Sequence, residues 1–489
     1  MNQDGITQVR DPLQRLLARI PQSNHPTVGQ AYHIAFASHE GQHRDTGQPF
    51  IIHPIAVALL LASEMGFSRD TEMITAALLH DAVEDSALDI EDIVPTFGHA
   101  VATLVRGVTK AEASQARNRS TRRAATLQKL FSAAREDPRV LILKLADRVH
   151  NMRSIGGITD PSRRARIARE TTELYAPISH LLGMGRTTRE LQNASFSCLD
   201  PEAYQSLSSE LGLGPPNAFF EFTDAVTGRL RQQDIRSRTR IQAKSLQSIH
   251  SKMLAAQTPL ANVYDRYAIE VIVSGRDACY RCLGTIHGHF TPVMESVKDF
   301  IALPKRNRYQ ALHTTVLHAG NRYEVHIQTP AMHRMGELGV AALKGDRIQE
   351  ASRRRWLEEL SDWHDHDVPS HHLLDELHRI LFVKEIVAFT PKGDAIVLPE
   401  GATVLDFAFA VHTDVGTRCH TASVNGKPSS PFTELAWGDT VRVETSDDKR
   451  PRQHWLRHIK SYRARRFVKH YLHKTEGKVD GDKKDPVGK

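Results

Sequence analysis

The chain has 489 residues, 40% of them hydrophobic and 25% charged, with a formal net charge of +7 at pH 7. These proportions fit ordinary globular domains, and the length suits roughly two to four of them. No apolar run approaches the ~18 residues of a membrane span, and 4 cysteines are too few for a disulfide framework.

The segment Met1 to Gln14 is polar and lacks the apolar centre of a secretion signal, so a reducing cytoplasm is the expected location. The charge is unevenly spread. From Asp447 to Lys489 there are 14 Lys or Arg against 6 Asp or Glu, a balance of +8, so the other 446 residues sum to −1. The basic character belongs to this tail and does not argue for a protein that coats nucleic acid along its length.

Residues 28–155 read as helices. Ile55 to Met65 is almost wholly apolar, and Thr71 to Asp85 and Arg139 to Met152 carry apolar residues at helical spacing. Asp70 and Thr71 supply a start for one, and Pro138 precedes the other. More helix follows from Ser162 to Leu182, and Gly212-Leu-Gly-Pro-Pro216 reads as a loop. From about residue 235 the pattern changes to an α/β domain, with strands expected at Tyr267–Val273, Leu312–Leu317 and Tyr323–Gln328. A charged, His-rich helical connector runs from Arg353 to Leu381. Glu385–Thr390 and Ala395–Leu398 flank the turn Pro391-Lys-Gly-Asp394. A short helix, Val404 to Val411, and two strands ending near Val443 complete what reads as a small β-grasp module. The last 15 residues have few apolar side chains and are expected to be disordered.

The chemistry gathers near the start. His80-Asp81 lies in an apolar helical stretch, with His53 before it and Asp147 after it. Imidazole and carboxylate together suit a divalent first-row metal. A lone buried histidine is more often structural. Four such groups on apolar helices, where uncompensated charge is costly, favour a metal site. Glu84 and Asp85 lie four residues beyond His80 and Asp81 and would share their helix face, placing a carboxylate where it orients a water or takes its proton. The alternative for both is a solvated helix end. Lys144, Asp147 and Asn151 also share one face.

These residues resemble the RelA/SpoT homologue family, the long alarmone synthetase–hydrolases. The matching segments are His43-Arg-Asp-Thr-Gly-Gln-Pro-Phe-Ile-Ile-His-Pro54, Ala77-Leu-Leu-His-Asp-Ala-Val-Glu-Asp85, Phe97-Gly98 with Gly107-Val-Thr-Lys110, and Leu143-Lys-Leu-Ala-Asp-Arg-Val-His-Asn-Met-Arg153. The resemblance implies an all-helical HD-type hydrolase domain over 1–195 and an α/β nucleotidyltransferase-like synthetase domain over 196–350. A helical connector over 351–382, a β-grasp TGS domain over 383–446 and a basic tail over 447–489 would follow. It further implies a Mn²⁺-dependent 3′-pyrophosphohydrolase of ppGpp and pppGpp, acting in stringent-response alarmone turnover. His53, His80, Asp81 and Asp147 would hold the manganese, and Glu84 and Asp85 would activate water. Arg44 would pack on the guanine, and Lys144 and Asn151 would contact the nucleotide. No metal position departs from the family.

The synthetase segment departs more. Its implied remnants are Lys244, Ser248 and Lys252 on a basic helix facing ATP, Asp265 and Glu324 for Mg²⁺, Tyr309 for guanine, and Lys305 and His313 beside them. The family's cations are missing elsewhere: Gln242 and Glu270 stand where it has Arg, and its Arg-x-Lys-Asp becomes Ser296-Val-Lys-Asp299. Its Gln-Ile-Arg-Thr becomes His326-Ile-Gln-Thr329, and its Ala-Ala-His becomes Ala341-Ala-Leu343. A charge-assisted phosphate contact contributes about 1.5–3 kcal/mol, so losing two or three would slow transfer on the order of 10³-fold. Weak or absent synthesis is expected, unless Arg238, Arg240, Arg306 or Arg308 substitutes in space. The domain would then bind GTP or ppGpp and regulate the hydrolase.

Cys279-Tyr-Arg-Cys282 lacks a second pair and is not read as a metal site. His364, His366, His371 and His372 read as a solvated surface. Asp406-Phe-Ala-Phe-Ala-Val-His412, Val424-Asn-Gly426 and Gly438-Asp439 carry the TGS resemblance, which with the basic tail implies protein or RNA contacts. A bifunctional synthetase–hydrolase, a non-catalytic nucleotide sensor and a hydrolase of adenine alarmones are the competing readings.

Overall fold

The helix Ile52–Ser63 buries eight side chains between His53 and Ala62, which explains a sequence without a polar face. In this computed structural model, which describes residues 11–86, 88–109, 119–212, 214–305, 307–343 and 385–479, that helix packs on Thr71–Leu79 and Arg139–Arg153. His25–Ser38 covers Thr71–Leu79 from another side. The Asp70 carboxylate caps Thr71–Leu79 by accepting from the Met73 amide at 3.0 Å. Arg139 then ties the cap to the neighbouring helix. It donates to Asp70 at 2.9 and 3.0 Å, to Glu72 at 2.7 Å and to Asp137 at 2.7 Å.

The stretch read as one helix from Thr71 to Asp85 is two, Thr71–Leu79 and Ala82–Asp85, with His80 and Asp81 at the break. The reason is local. His80 Nδ1 lies 2.8 Å from the Ala77 carbonyl, the acceptor that a continuing helix would give to the Asp81 amide.

Further helices at Pro161–Glu170 and Ala176–Leu181, joined by a π turn, lead to Gly185–Leu199. The last of these helices meets the α/β part of the same compact unit, which spans Met1–Leu373. Ser245 Oγ donates to Gln192 at 2.7 Å, the Leu246 amide donates to Asn193 at 2.8 Å, and Arg189 donates to Glu337 at 2.8 Å. The Val340 amide donates to the Leu182 carbonyl at 2.9 Å.

Six strands form the α/β sheet: β1 Ser237–Ala243, β2 Tyr267–Val273, β3 Thr291–Pro292, β4 Lys298–Asp299, β5 Leu312–His318 and β6 Asn321–Gln328. Their order is β1-β2-β6-β5-β3, with β4 also on β5. Only β2 and β6 run parallel. Ile269, Val271, Leu312, Val316, Val325 and Ile327 share a core with Phe222, Val226, Cys282 and Ile286 from helices Asn217–Gln232 and Arg276–His289. Alternation therefore turns Glu270, His313, Glu324 and His326 to the opposite face. The sequence reading missed β1, whose Arg238, Arg240 and Gln242 replace the apolar alternation of a strand.

The second unit, Leu374–Lys489, contains the expected hairpin, β7 Glu385–Phe389 with β8 Ala395–Pro399, and the expected helix Val404–Val411. A three-stranded antiparallel sheet follows, with β9 Cys419–Val424 between β10 Lys427–Ser429 and β11 Val441–Thr445. Two strands were expected. The extra one is the short β10, turned at Asn425-Gly426, both at positive φ. Asp406 is fully buried and accepts from the amides of Thr403, Lys460 and Ser461. It thereby anchors the start of helix Tyr462–Val479. That helix corrects the expected disorder over its last residues. The connector Arg353–Leu381 and residues 480–489 lie outside the described residues.

Candidate metal centre

Three elements bring the four expected ligands together: Ile52–Ser63 carries His53, the helix break carries His80 and Asp81, and Arg139–Arg153 carries Asp147. His53 Nε2 lies 3.4 Å from Asp81 Oδ2 and 3.3 Å from Asp147 Oδ1. His80 Nε2 lies 3.2 and 3.9 Å from the same two oxygens. Ligand atoms of His53, His80 and Asp147 all fall within 4.8 Å of one another.

The hydrogen-bond pattern turns both imidazoles toward this centre. His80 Nδ1 donates to the Ala77 carbonyl, so Nε2 is the nitrogen turned toward Asp81 and Asp147. That Nε2 is buried without a hydrogen-bond partner, an orphan that a divalent ion would satisfy. His53 Nδ1 lies 2.8 Å from His150 Nδ1, which also lies 3.1 Å from Arg44 Nη1. An arginine only donates, so His150 Nδ1 accepts. His53 Nδ1 must then carry a hydrogen, leaving its Nε2 lone pair facing Asp81 and Asp147. The residues fit a divalent metal.

Electrostatics agree. Burial disfavours a charged His80, but Asp81 and Asp147 outweigh it and raise its pKa to about 9. The pocket thus draws positive charge. Burial opposes ionisation of Asp81 and Asp147, yet the histidines, and for Asp147 also Lys144, hold both well below the usual carboxylate range. Burial, with His53 and Arg44 beside it, pushes His150 down to about 3, so it is neutral.

Lys144 Nζ lies 3.1 Å from Asp147 Oδ2 and 3.4 Å from the Val108 carbonyl. Asn151 Nδ2 donates to Asp147 Oδ1 at 2.6 Å, and Arg44 donates to Asn151 Oδ1 at 2.9 Å. The expected shared face of Lys144, Asp147 and Asn151 is real, and both partners act on the carboxylate. Glu84 is half-buried on Ala82–Asp85, its amide donating to the Asp81 carbonyl at 3.1 Å. The helix break removes the continuous spacing argument for Glu84 and Asp85, and the Asp85 side chain lies outside the described residues. Sequence reasoning missed His150, three residues from Asp147 and so on its helix face.

On the α/β sheet, Lys244 Nζ sits between Asp265, at 2.7 Å, and Glu324, at 2.6 Å. Lys252 also pairs with Asp265. Lys244 follows β1 and precedes helix Leu246–Ala256, so of the expected basic helix only Ser248 and Lys252 lie on it. Glu270 pairs with Arg240, its direct partner on β1, and Arg240 also bonds Gln242. The Tyr309 hydroxyl lies 2.8 Å from His313 Nε2, and Lys305 lies over the Phe300 and Tyr309 rings. Arg306 lies outside the described residues. Cys279 and Cys282 are buried, and burial pushes their thiols up to about 11 and about 12, away from the thiolate a metal needs.

Residues 31–185 match the HD domain, residues 241–344 the region found in RelA/SpoT proteins, and residues 386–445 the TGS domain. The chain is 38% identical over 464 residues to the bifunctional (p)ppGpp synthase/hydrolase SpoT of Escherichia coli K12, covering 93% of this chain and 66% of that relative. It is 37% identical over 485 residues to a guanosine-3′,5′-bis(diphosphate) 3′-pyrophosphohydrolase of Aquifex aeolicus, covering 97% and 68%. A GTP pyrophosphokinase of Streptomyces coelicolor is 38% identical, over 95% of this chain and 58% of that relative. The chain thus spans about two thirds or less of the length of these relatives. A solved structure described as a metazoan ortholog of SpoT that hydrolyses ppGpp is 25% identical over 37% of this chain and 95% of its own, with a TM-score of 0.26. No helix among the described residues is long and apolar enough to cross a membrane.

Proposed function

The chain belongs to the RelA/SpoT family, and from that premise we propose that it removes the 3′-pyrophosphate of ppGpp and pppGpp, releasing GDP or GTP in the cytoplasm. The observation that carries this reading is the convergence of His53, His80, Asp81 and Asp147 on one point, with the buried His80 Nε2 unpartnered. Imidazole and carboxylate donors together suit a divalent first-row metal, and the family resemblance makes that metal Mn²⁺. Bound there, the ion would polarise a phosphoryl oxygen and offset the substrate's charge.

The chain's own residues supply the rest. Lys144 and Asn151 hold Asp147 ionised and oriented, while His150 orients His53. Glu84 and Asp85 are assigned to the attacking water: one orients it, the other takes its proton as the new P–O bond forms. The bond from phosphorus to the ribose 3′ oxygen breaks, that oxygen gains a proton, and pyrophosphate leaves. Arg44, half-buried with its edge on His150 and Asn151, would pack its guanidinium face against the guanine.

The reading of the α/β domain is that synthesis is weak or absent. Lys244 bridges the two carboxylates that resemble the family's Mg²⁺ ligands, and Glu270 binds Arg240, one of the cations that could have compensated. Retained Tyr309, Asp265 and Glu324 favour the second reading, a bifunctional enzyme. The domain would otherwise bind GTP or ppGpp as a regulator, and the TGS domain and basic tail would meet protein or RNA. Product analysis distinguishes these. Purified chain with Mn²⁺ should convert ppGpp to GDP and pyrophosphate and stop on chelation. With ATP, GDP and Mg²⁺ it should make little ppGpp, and robust production would establish the second reading.

A further inference from the structure

We propose that His313, Glu324 and His326 form a second metal site, for a divalent transition ion such as Zn²⁺ or Co²⁺. Antiparallel pairing sets His313 of β5 directly opposite His326 of β6, and their rings stack with centroids 3.8 Å apart. Glu324 stands two residues before His326 on the same strand and therefore on the same face. Its Oε1 lies 3.0 Å from His326 Nε2. One ligand atom from each of the three lies within 4.8 Å of the others. Donors around one tetrahedral ion with ~2.0–2.1 Å bonds sit about 3.3 Å apart, so the ligand atoms must close in by up to about 1.5 Å and the two stacked rings must tilt out of parallel to complete the site.

The site differs from the carboxylate pair Asp265 and Glu324. Lys244 holds that pair through Glu324 Oε2, which leaves Oε1 to the histidines. Two nitrogen donors favour a borderline ion over Mg²⁺, which prefers oxygen. The Tyr309 hydroxyl, 2.8 Å from His313 Nε2, fixes the orientation of that ring. His326 occupies a position where the family pattern has Gln. Three protein ligands leave a fourth position for water or a phosphate oxygen.

Cobalt titration of the metal-stripped full chain, followed by visible absorption and calorimetry, tests this. Every protein carries His53→Ala to weaken the hydrolase centre. The protein that keeps His326 should bind about one more ion per chain than His326→Gln, and Glu324→Gln should match the loss. His364, His366, His371 and His372 are common to all, so ions they hold cancel in the difference. Circular dichroism confirms folding. Stoichiometry and affinity unchanged by His326→Gln, or by Glu324→Gln in a folded protein, would overturn the site.

Discussion

His53 and His150 face each other through their Nδ1 atoms at 2.8 Å, and this contact, with Arg44 donating to the same His150 nitrogen, turns the His53 Nε2 lone pair toward Asp81 and Asp147. His150 is thus a positioning residue. Replacing His150 with Ala should weaken metal affinity about 10–100-fold, as is usual for a partner that orients a ligating histidine. Calorimetric titration with Mn²⁺ reads this directly. Unchanged affinity in a folded variant would contradict the assignment.

Arg139 has a side chain 16% exposed and pairs with Asp70, Glu72 and Asp137. Arg139→Met leaves three carboxylates facing one another at the start of two site-bearing helices. A loss of about 3 kcal/mol is expected, since removing one partner of a largely buried pair strands the other. In a unit of this size that lowers the melting temperature by about 4 °C. Thermal denaturation followed at 222 nm (a helix signal) measures it, and an unshifted transition would refute the clamp.

Gly339 adopts φ +57°, and a Cβ there would lie 2.1 Å from the Leu182 carbonyl oxygen and 2.5 Å from the Gly183 carbonyl carbon. Both backbones are fixed, so Gly339→Ala should force the α/β domain away from the Gly185–Leu199 helix. The Val340 amide, bonded to Leu182, should exchange with solvent at least about tenfold faster, equivalent to ~1.4 kcal/mol of lost protection. Hydrogen exchange at wild-type rates would show that the contact is dispensable.

Glu270 neutralises Arg240 across the β1–β2 register. Replacing Glu270 and Gln242 together with Arg restores two phosphate-binding charges. Pyrophosphate transfer from ATP to GDP should rise at least about tenfold over wild type, because each such contact contributes about 1.5–3 kcal/mol. No gain would place the lesion in some other part of the site.

Much of this site was legible from residues alone. Histidines and carboxylates set among apolar residues at helical spacing are costly unless something compensates them, and His53, His80, Asp81 and Asp147 do converge. The break at His80–Asp81 was not legible, because the apolar pattern continues through Ala82. It depends on a side chain taking a backbone carbonyl. Strand β1 was hidden by its arginines, which lie on the sheet face opposite the core. His150 was visible in its motif, but its role needs His53, 97 positions away in sequence. The hairpin at Pro391–Asp394 and the Val404–Val411 helix followed from turn chemistry and periodicity, whereas β10 is three residues long and leaves almost no pattern.

The central claim is that the four-ligand centre hydrolyses the 3′-pyrophosphate. Its most direct test is turnover of ppGpp by wild type and by Asp81→Ala, each metal-stripped, reloaded with Mn²⁺ and shown to be folded. The wild type should release GDP and pyrophosphate in a Mn²⁺-dependent way, and Asp81→Ala should fall by about 10³-fold or more, ~4 kcal/mol in barrier. No Mn²⁺-dependent release by the wild type, or equal turnover by Asp81→Ala, would contradict it.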